Sequence, residues 1–145
     1  MLTFVYILDP PGFWNWTIDP GQSWNKSAAY LIDRTYNYVH VSALYWSLYR
    51  AGRTQPDLLQ KQSPHWYLEQ AYHTVAFSVS NSSDGTPQTS YWQVGLMGEW
   101  VWGSILSDLY AEGYAEEANH MEDLMRVRQE LWRAVPGPFG YRRSV

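Results

Sequence analysis

The 145-residue chain contains no cysteine. Disulfides, thiolate nucleophiles and Cys-ligated zinc are excluded together, and the redox compartment stays open. Lysine is almost as scarce: Lys26 and Lys61 are its only examples, and 10 Lys+Arg against 14 Asp+Glu give a formal net charge of −4. No basic stripe exists to neutralise a phosphate backbone, so nucleic acid is not expected as a partner. No apolar run approaches the ~20 residues of a membrane span, so no membrane partner is expected either. The N-terminal MLTFVYILDPP has a short apolar run without a basic region before it or a small-residue cleavage site, and does not read as a signal peptide. The four histidines, His40, His65, His73 and His120, are dispersed without a ligand spacing, and neither a Gly-rich phosphate loop nor a nucleophile elbow occurs. No metal and no cofactor are expected.

Aromatic residues are what the chain has in excess. Nine Trp, twelve Tyr and four Phe exceed what a small core needs, and many sit beside polar residues. Amphipathic rings of that kind line ligand grooves and interfaces. Three Asn-x-Ser/Thr patterns, beginning at Asn15, Asn25 and Asn81, would suit a secreted protein.

Residues 1–37 carry Pro10-Pro11-Gly12, Pro20-Gly21 and no sustained periodicity, and read as an irregular, aromatic-rich segment with a short strand at Thr3 to Leu8. Residues 38–135 read as two helical hairpins and residues 136–145 as a tail. The first helix is expected from about Tyr38 to Ala51 with Gly52 as its cap, and is apolar on nearly every side. The second starts at Ser63-Pro64 and runs to about Val79, with a single stripe of Leu68, Ala71, Tyr72, Val75 and Val79. The third, about Gln93 to Glu112, is again apolar nearly all round and holds Gly95, Gly98 and Gly103, where close backbone approach is expected. The fourth, about Ala115 to Val135, is amphipathic, with Glu122 and Arg126 placed to pair at i, i+4 and Pro136 to end it. Thus buried helices alternate with amphipathic ones. In addition, Leu44…Leu48-Tyr49…Gly52 recurs as Ile105…Leu109-Tyr110…Gly113 at a constant offset of 61 residues. A repeated hairpin that cannot bury its inner helix alone needs neighbours.

The segments RTYNYVHVSALYWSLYRAGR, HWYLEQAYHTV, VGLMGEWVWGSILSDLYAEGYAEEA and PGPFG resemble the DUF5695 family of bacterial and fungal proteins, within the α/α-toroid (six-hairpin) glycosidase-like proteins. The resemblance covers about Asp33 to Gly140. It implies an all-α fold, antiparallel helical hairpins forming part of an (α/α)6 toroid, with a saccharide cleft at the inner-helix N-terminal loops. It also implies an oligo- or polysaccharide partner, beside the rest of the chain's own toroid or another copy. Family members are much longer, and past Phe139-Gly140 their pattern continues into an acidic and aromatic cleft segment. This chain instead closes with Tyr141-Arg142-Arg143-Ser144-Val145 and is expected to be a fragment.

Sugar-cleaving toroids need two carboxyl groups, an acid and a base or nucleophile. Glu99, on an apolar face with Gly95, Leu96 and Trp102, is the candidate acid, because desolvation raises a carboxyl pKa; a structural carboxylate bonded to a neighbouring helix is the competing role. Asp33 is the second candidate, against a local ion pair with Arg34. Asp19, Asp57, Asp84, Asp108 and the acids of the fourth helix read as solvated. Trp14, Trp16, Tyr36, Tyr38, Tyr91 and Trp92 stand just ahead of or between helices. There their rings could stack on a pyranose while Arg34, Asn37, His40 and Gln93 bond hydroxyls, or could simply glue loops to helix ends. Tyr45, Trp46, Tyr72 and Trp100 are expected in the core. The alternative to a carbohydrate-active, glycoside hydrolase-like chain is a non-catalytic helical-repeat scaffold or an inactive fragment.

Overall fold

The structure, a computed structural model, describes residues 32–93 and 95–134. The chain divides into two units, Met1–Ile32 and Asp33–Val145, and the described helices all belong to the second. Among the described residues four helices account for most of the chain: α1 (Thr35–Thr54), α2 (Pro64–Val79), α3 (Trp100–Ala111) and α4 (Ala115–Ala134), with a single 3-10 turn at Pro56–Leu58. Among the described residues there is no strand, only isolated bridges from Arg34 to Ser90 and from Asn81 to Pro87. The all-α expectation holds. The short strand at Thr3 to Leu8, Trp14, Trp16 and the tail lie outside the described residues.

Local chemistry sets most of the boundaries. Ser63 caps α2 by accepting the Trp66 N–H at 3.2 Å, and Pro64 occupies the first turn, where its missing N–H costs nothing. Gly113 ends α3 in the left-handed region at φ +84, and the N–H groups of Gly113 and Tyr114 close back on the carbonyls of Tyr110 and Leu109. At the head of α1, Arg34 makes no side-chain cap. Its place is taken by a neighbouring loop: Ser90 O accepts the Thr35 N–H at 3.3 Å, and Thr35 Oγ1 lies 2.6 Å from Thr89 Oγ1, which donates to Ser78 O at 2.7 Å. Buried Thr35 and Thr89 thus satisfy one helix start and one helix end together.

Three boundary expectations are corrected. α1 begins at Thr35 and continues to Thr54, so Gly52 is no cap. A Cβ there would collide with Leu59 and come within 3.0 Å of Pro64 Cγ, which shows that glycine admits a close crossing of the following turn and the head of α2. α3 starts at Trp100, because Tyr91 and Gly98 take positive φ and residues 95–99 are spent in irregular and turn conformations. Close approach holds at Gly98, next to Val39, but Gly95 and Gly103 have nothing within 4 Å of a built Cβ.

Partner residues reveal how the hairpins sit. Tyr38 stacks on Phe77 and Tyr45 meets Trp66, so α1 and α2 run antiparallel. Between α1 and α3 the pairs are Ser42 with Trp102, Trp46 with Asp108 and Tyr49 with Glu112, at sequence separations of 60, 62 and 63. A nearly constant separation means parallel helices, and its value is close to the 61-residue repeat. The second helices follow suit, Glu69 meeting Tyr114 and Tyr72 meeting His120 at separations of 45 and 48. The repeated hairpins therefore lie side by side, α1 next to α3 and α2 next to α4.

The core lies among all four helices, with Val39, Tyr49, Leu68, Val75, Trp102, Ile105, Leu109 and Met121 fully buried. Trp102 is its largest member, and its Nε1–H donates to Ser42 Oγ at 3.0 Å, which leaves no unpaired polar atom on the indole. The α2 stripe of Leu68, Ala71, Tyr72, Val75 and Val79 is buried as its spacing predicts. On α4, Ala118 and Met121 are buried, but Trp132 is not, and Arg126 pairs with Asp123 rather than Glu122. All-round burial of α1 and α3 is corrected: Leu44 is 53% and Trp100 74% exposed. Among the described residues each of these helices has helical neighbours on two sides, and Leu44 and Trp100 point away from them.

Candidate functional site

The two helices share a groove. It runs between α1 and α3, encloses about 430 Å³, and is lined by Trp46, Arg50, Trp100, Gly103, Ser104, Ser107 and Asp108. Helical spacing assembles it: Trp46 and Arg50 are one turn apart on α1, while Trp100, Ser104 and Ser107-Asp108 recur at turn spacing on α3. Asp108 is 8% exposed and accepts the Trp46 Nε1–H at 2.7 Å and an Arg50 N–H at 3.3 Å. Arg50 also lies over the Trp46 ring, 5.8 Å from its centroid. The groove thus offers one fixed and one exposed indole, two serine hydroxyls, a guanidinium and an anchored carboxylate. Such a set can stack on an apolar ring face and bond hydroxyls around it.

Sequence reasoning missed this site. Asp108 is not solvated, and Trp100 is not in the core. The one sign available was a Ser/Ser/Asp set at turn spacing within an otherwise apolar helix.

A second cluster holds the loop ahead of α3. Arg128, 2% exposed, donates to Glu99 Oε1 at 2.5 Å and Oε2 at 3.1 Å, and its Nε–H donates to Trp92 O at 2.8 Å. Its guanidinium is sandwiched between the rings of Trp102 and Trp132, 5.0 and 4.8 Å from their centroids. Glu99 Oε2 also accepts the Leu96 N–H at 2.9 Å, and Gln93 O accepts the Trp132 Nε1–H at 2.6 Å. Glu99 precedes the helix rather than standing on its face, and three donors, two from Arg128 and the Leu96 N–H, occupy its oxygens.

The remaining candidates fall into two groups. Asp33 and Arg34 meet the loop at Ser90 by the head of α1, whereas the Trp92 and Gln93 carbonyls face Arg128 and Trp132 of α4; Asp33 O accepts the Ser90 N–H, and Asp33 Oδ2 lies 3.5 Å from Ser90 Oγ rather than in an ion pair with Arg34. Tyr91, with φ 66, is 57% exposed. Of the α1 residues, Asn37 and His40 are exposed, Tyr36 is half-buried, and Tyr38 is buried against Phe77. Burial, and secondarily the charge of Asp33, pushes the Tyr38 hydroxyl above its ordinary pKa. His40 is therefore not a core histidine. No group of His, Asp and Glu able to hold a metal occurs among the described residues, and no described helix is long and apolar enough to cross a membrane.

The family described as "Family of unknown function (DUF5695)" matches over residues 11–144. No curated protein and no solved structure matches the chain.

Proposed function

We propose that this chain, which belongs to the DUF5695 family, binds an oligo- or polysaccharide in the groove between α1 and α3, as part of a larger α/α-toroid of such hairpins. The single observation that carries this reading is the composition of that groove: Trp46 and Trp100 beside Ser104, Ser107, Arg50 and Asp108 in about 430 Å³. Sugars present apolar C–H faces edged by hydroxyls, and stacking indoles with fixed donors and acceptors suit that pattern. Nucleic acid is a poor fit to a chain of net charge −4. His40 and Tyr91, exposed toward the head of α1, are the residues on which a longer saccharide would next be sought. Hydrolysis by Glu99 is not part of the proposal, because its oxygens are engaged by Arg128 and the Leu96 N–H.

Titration with a panel of neutral oligosaccharides, followed by tryptophan fluorescence, tests the reading. Binding should shift the emission, and Trp100→Ala, which removes an exposed ring, should weaken affinity about tenfold, roughly 1.4 kcal/mol. A response unchanged by both Trp100→Ala and Ser104→Ala, or no response across the panel, would overturn it.

A further inference from the structure

The groove between α1 and α3 presents more donors than acceptors. A guanidinium has five N–H groups, and among the described residues Arg50 uses one of them, toward Asp108 Oδ1 at 3.3 Å. The others are held in place but unused, because the guanidinium lies over the Trp46 ring while its side chain stays 56% exposed. The Trp100 Nε1–H likewise has no acceptor among the described residues, and that ring is exposed. Ser104 and Ser107 differ from the other helical serines. Ser42, Ser47 and Ser78 return their hydroxyls to carbonyls three or four residues back, whereas no described atom receives those of Ser104 and Ser107, which line the groove. On the acceptor side stands Asp108, whose two oxygens already take the Trp46 Nε1–H and the Arg50 N–H.

A sugar hydroxyl both donates and accepts, so a wholly neutral saccharide leaves many of its own O–H groups unmatched on such a wall. A carboxylate only accepts, and two unused N–H groups of the guanidinium fork match its two oxygens side by side. We propose that the groove selects a saccharide bearing a uronate, with Arg50 as the residue that sets this preference by binding the carboxylate, while Trp100, Ser104 and Ser107 meet the sugar ring and its hydroxyls. The inference rests on the saccharide reading above and gives it a substrate class. Asp108 carries the same charge as the ligand, but its oxygens are bonded to the Trp46 indole and to Arg50, and it acts by holding the guanidinium in position. The net charge of −4 weighs against a polyanion, so the ligand carries an isolated acidic unit rather than a run of them. The planar fork favours a carboxylate over the tetrahedral oxygens of a sulfate ester.

Tryptophan fluorescence of the full chain reads binding of three ligands built on one neutral oligosaccharide: the chain bearing a single glucuronate, the methyl ester of that glucuronate, and the chain bearing a single sulfate ester instead. The acid should bind about tenfold more tightly than its methyl ester at low salt, and the ratio should shrink as salt is added. Arg50→Lys keeps the charge without the fork and should lower the ratio, and Arg50→Gln should abolish it, with circular dichroism as a check on folding. Because the ratio is taken within each protein, a general loss of affinity does not mimic a loss of selectivity. Should Arg50→Gln fail to fold, Arg50→Lys carries the comparison. A wild type that binds acid and methyl ester alike, or a folded Arg50 variant that keeps the wild-type ratio, would overturn the inference and leave the saccharide reading standing. Tighter binding of the sulfate ester than of the uronate would overturn the choice of carboxylate. No response to any of the three, nor to the neutral panel, would overturn both.

Discussion

Tyr49 and Tyr110 occupy the same position of the repeated hairpin, yet Tyr49 is fully buried and Tyr110 is 45% exposed. The difference is the neighbour. Tyr49 is covered by α3, its hydroxyl donating to Glu112 Oε1 at 2.8 Å and accepting from Arg53 at 3.0 Å, whereas the Tyr110 hydroxyl reaches Glu122 of its own hairpin at 2.7 Å. Tyr49→Phe should therefore destabilise the fold by about 1–3 kcal/mol, because Glu112 loses a part-buried donor. Tyr110→Phe should stay within about 0.5 kcal/mol of wild type. Urea denaturation of the two variants checks the contrast, and equal effects would contradict it.

The Tyr49 hydroxyl also gives the fold an alkaline limit. Burial first, and the bond to Glu112 second, push its pKa from 10.0 up to about 12. A folded-state pKa above the unfolded value contributes stability that is complete below the unfolded pKa and is lost as pH rises through the folded one. Wild-type stability should accordingly decline between about pH 10 and 12 more steeply than that of Tyr49→Phe. Ultraviolet titration should show one late-ionising tyrosine fewer in the variant; an unchanged titration would contradict the assignment.

On the acid side the same cluster acts through Glu112. Its carboxyl is held below the ordinary value of 4.5 by the Tyr49 hydroxyl and then by His65, whose Nε2 lies 3.0 Å away. Because this folded-state pKa is lowered, the stability it contributes is present above the unfolded value and lost as pH falls through the folded one. The gap in denaturation midpoint between wild type and Glu112→Gln should be widest at neutral pH and shrink on acidification below 4.5. A gap independent of pH would place the effect elsewhere.

Much of this architecture was legible in the sequence. Ser63-Pro64 and the Leu68 to Val79 stripe placed α2, Gly113 placed the end of α3, and the 61-residue recurrence lies close to the separations of 60, 62 and 63 at which α1 and α3 pair. What a sequence pattern cannot register is whether the cover an apolar face asks for is present. Leu44 and Trp100 therefore read as buried although they are exposed. Asp108 was misjudged, and Arg128 was not singled out, for the converse reason. Each lies on a helix position that local spacing leaves open, and its partners come from far along the chain: Trp46 is 62 residues from Asp108, and Glu99 is 29 from Arg128. The start of α3 was misplaced because apolar periodicity ran on through Gly95 and Gly98, where backbone conformation and not burial decides.

The Arg128 cluster decides how firmly the loop before α3 is held. Arg128→Met removes the guanidinium but keeps part of the stem between Trp102 and Trp132, so the loss reports mainly on Glu99 and the Trp92 carbonyl. It should cost about 3–5 kcal/mol, since Glu99 is left part-buried without its cation. Combining it with Glu99→Gln should recover part of that loss, a coupling that a double-mutant cycle measures. Additive effects would show that the two side chains do not depend on each other.

Gly98 and Gly103, both expected at close backbone contacts, meet different surroundings. Gly98 has φ +82 and sits against Val39, so Gly98→Ala forces a side chain into a left-handed backbone and should destabilise by about 1 kcal/mol or more. Gly103 lies inside α3 with open space around it, so Gly103→Ala gains helix propensity at no steric cost and should stabilise by about 0.5–1 kcal/mol. Thermal unfolding of the pair should move in opposite directions. A destabilising Gly103→Ala in a chain that stays folded would contradict the open surroundings of that position.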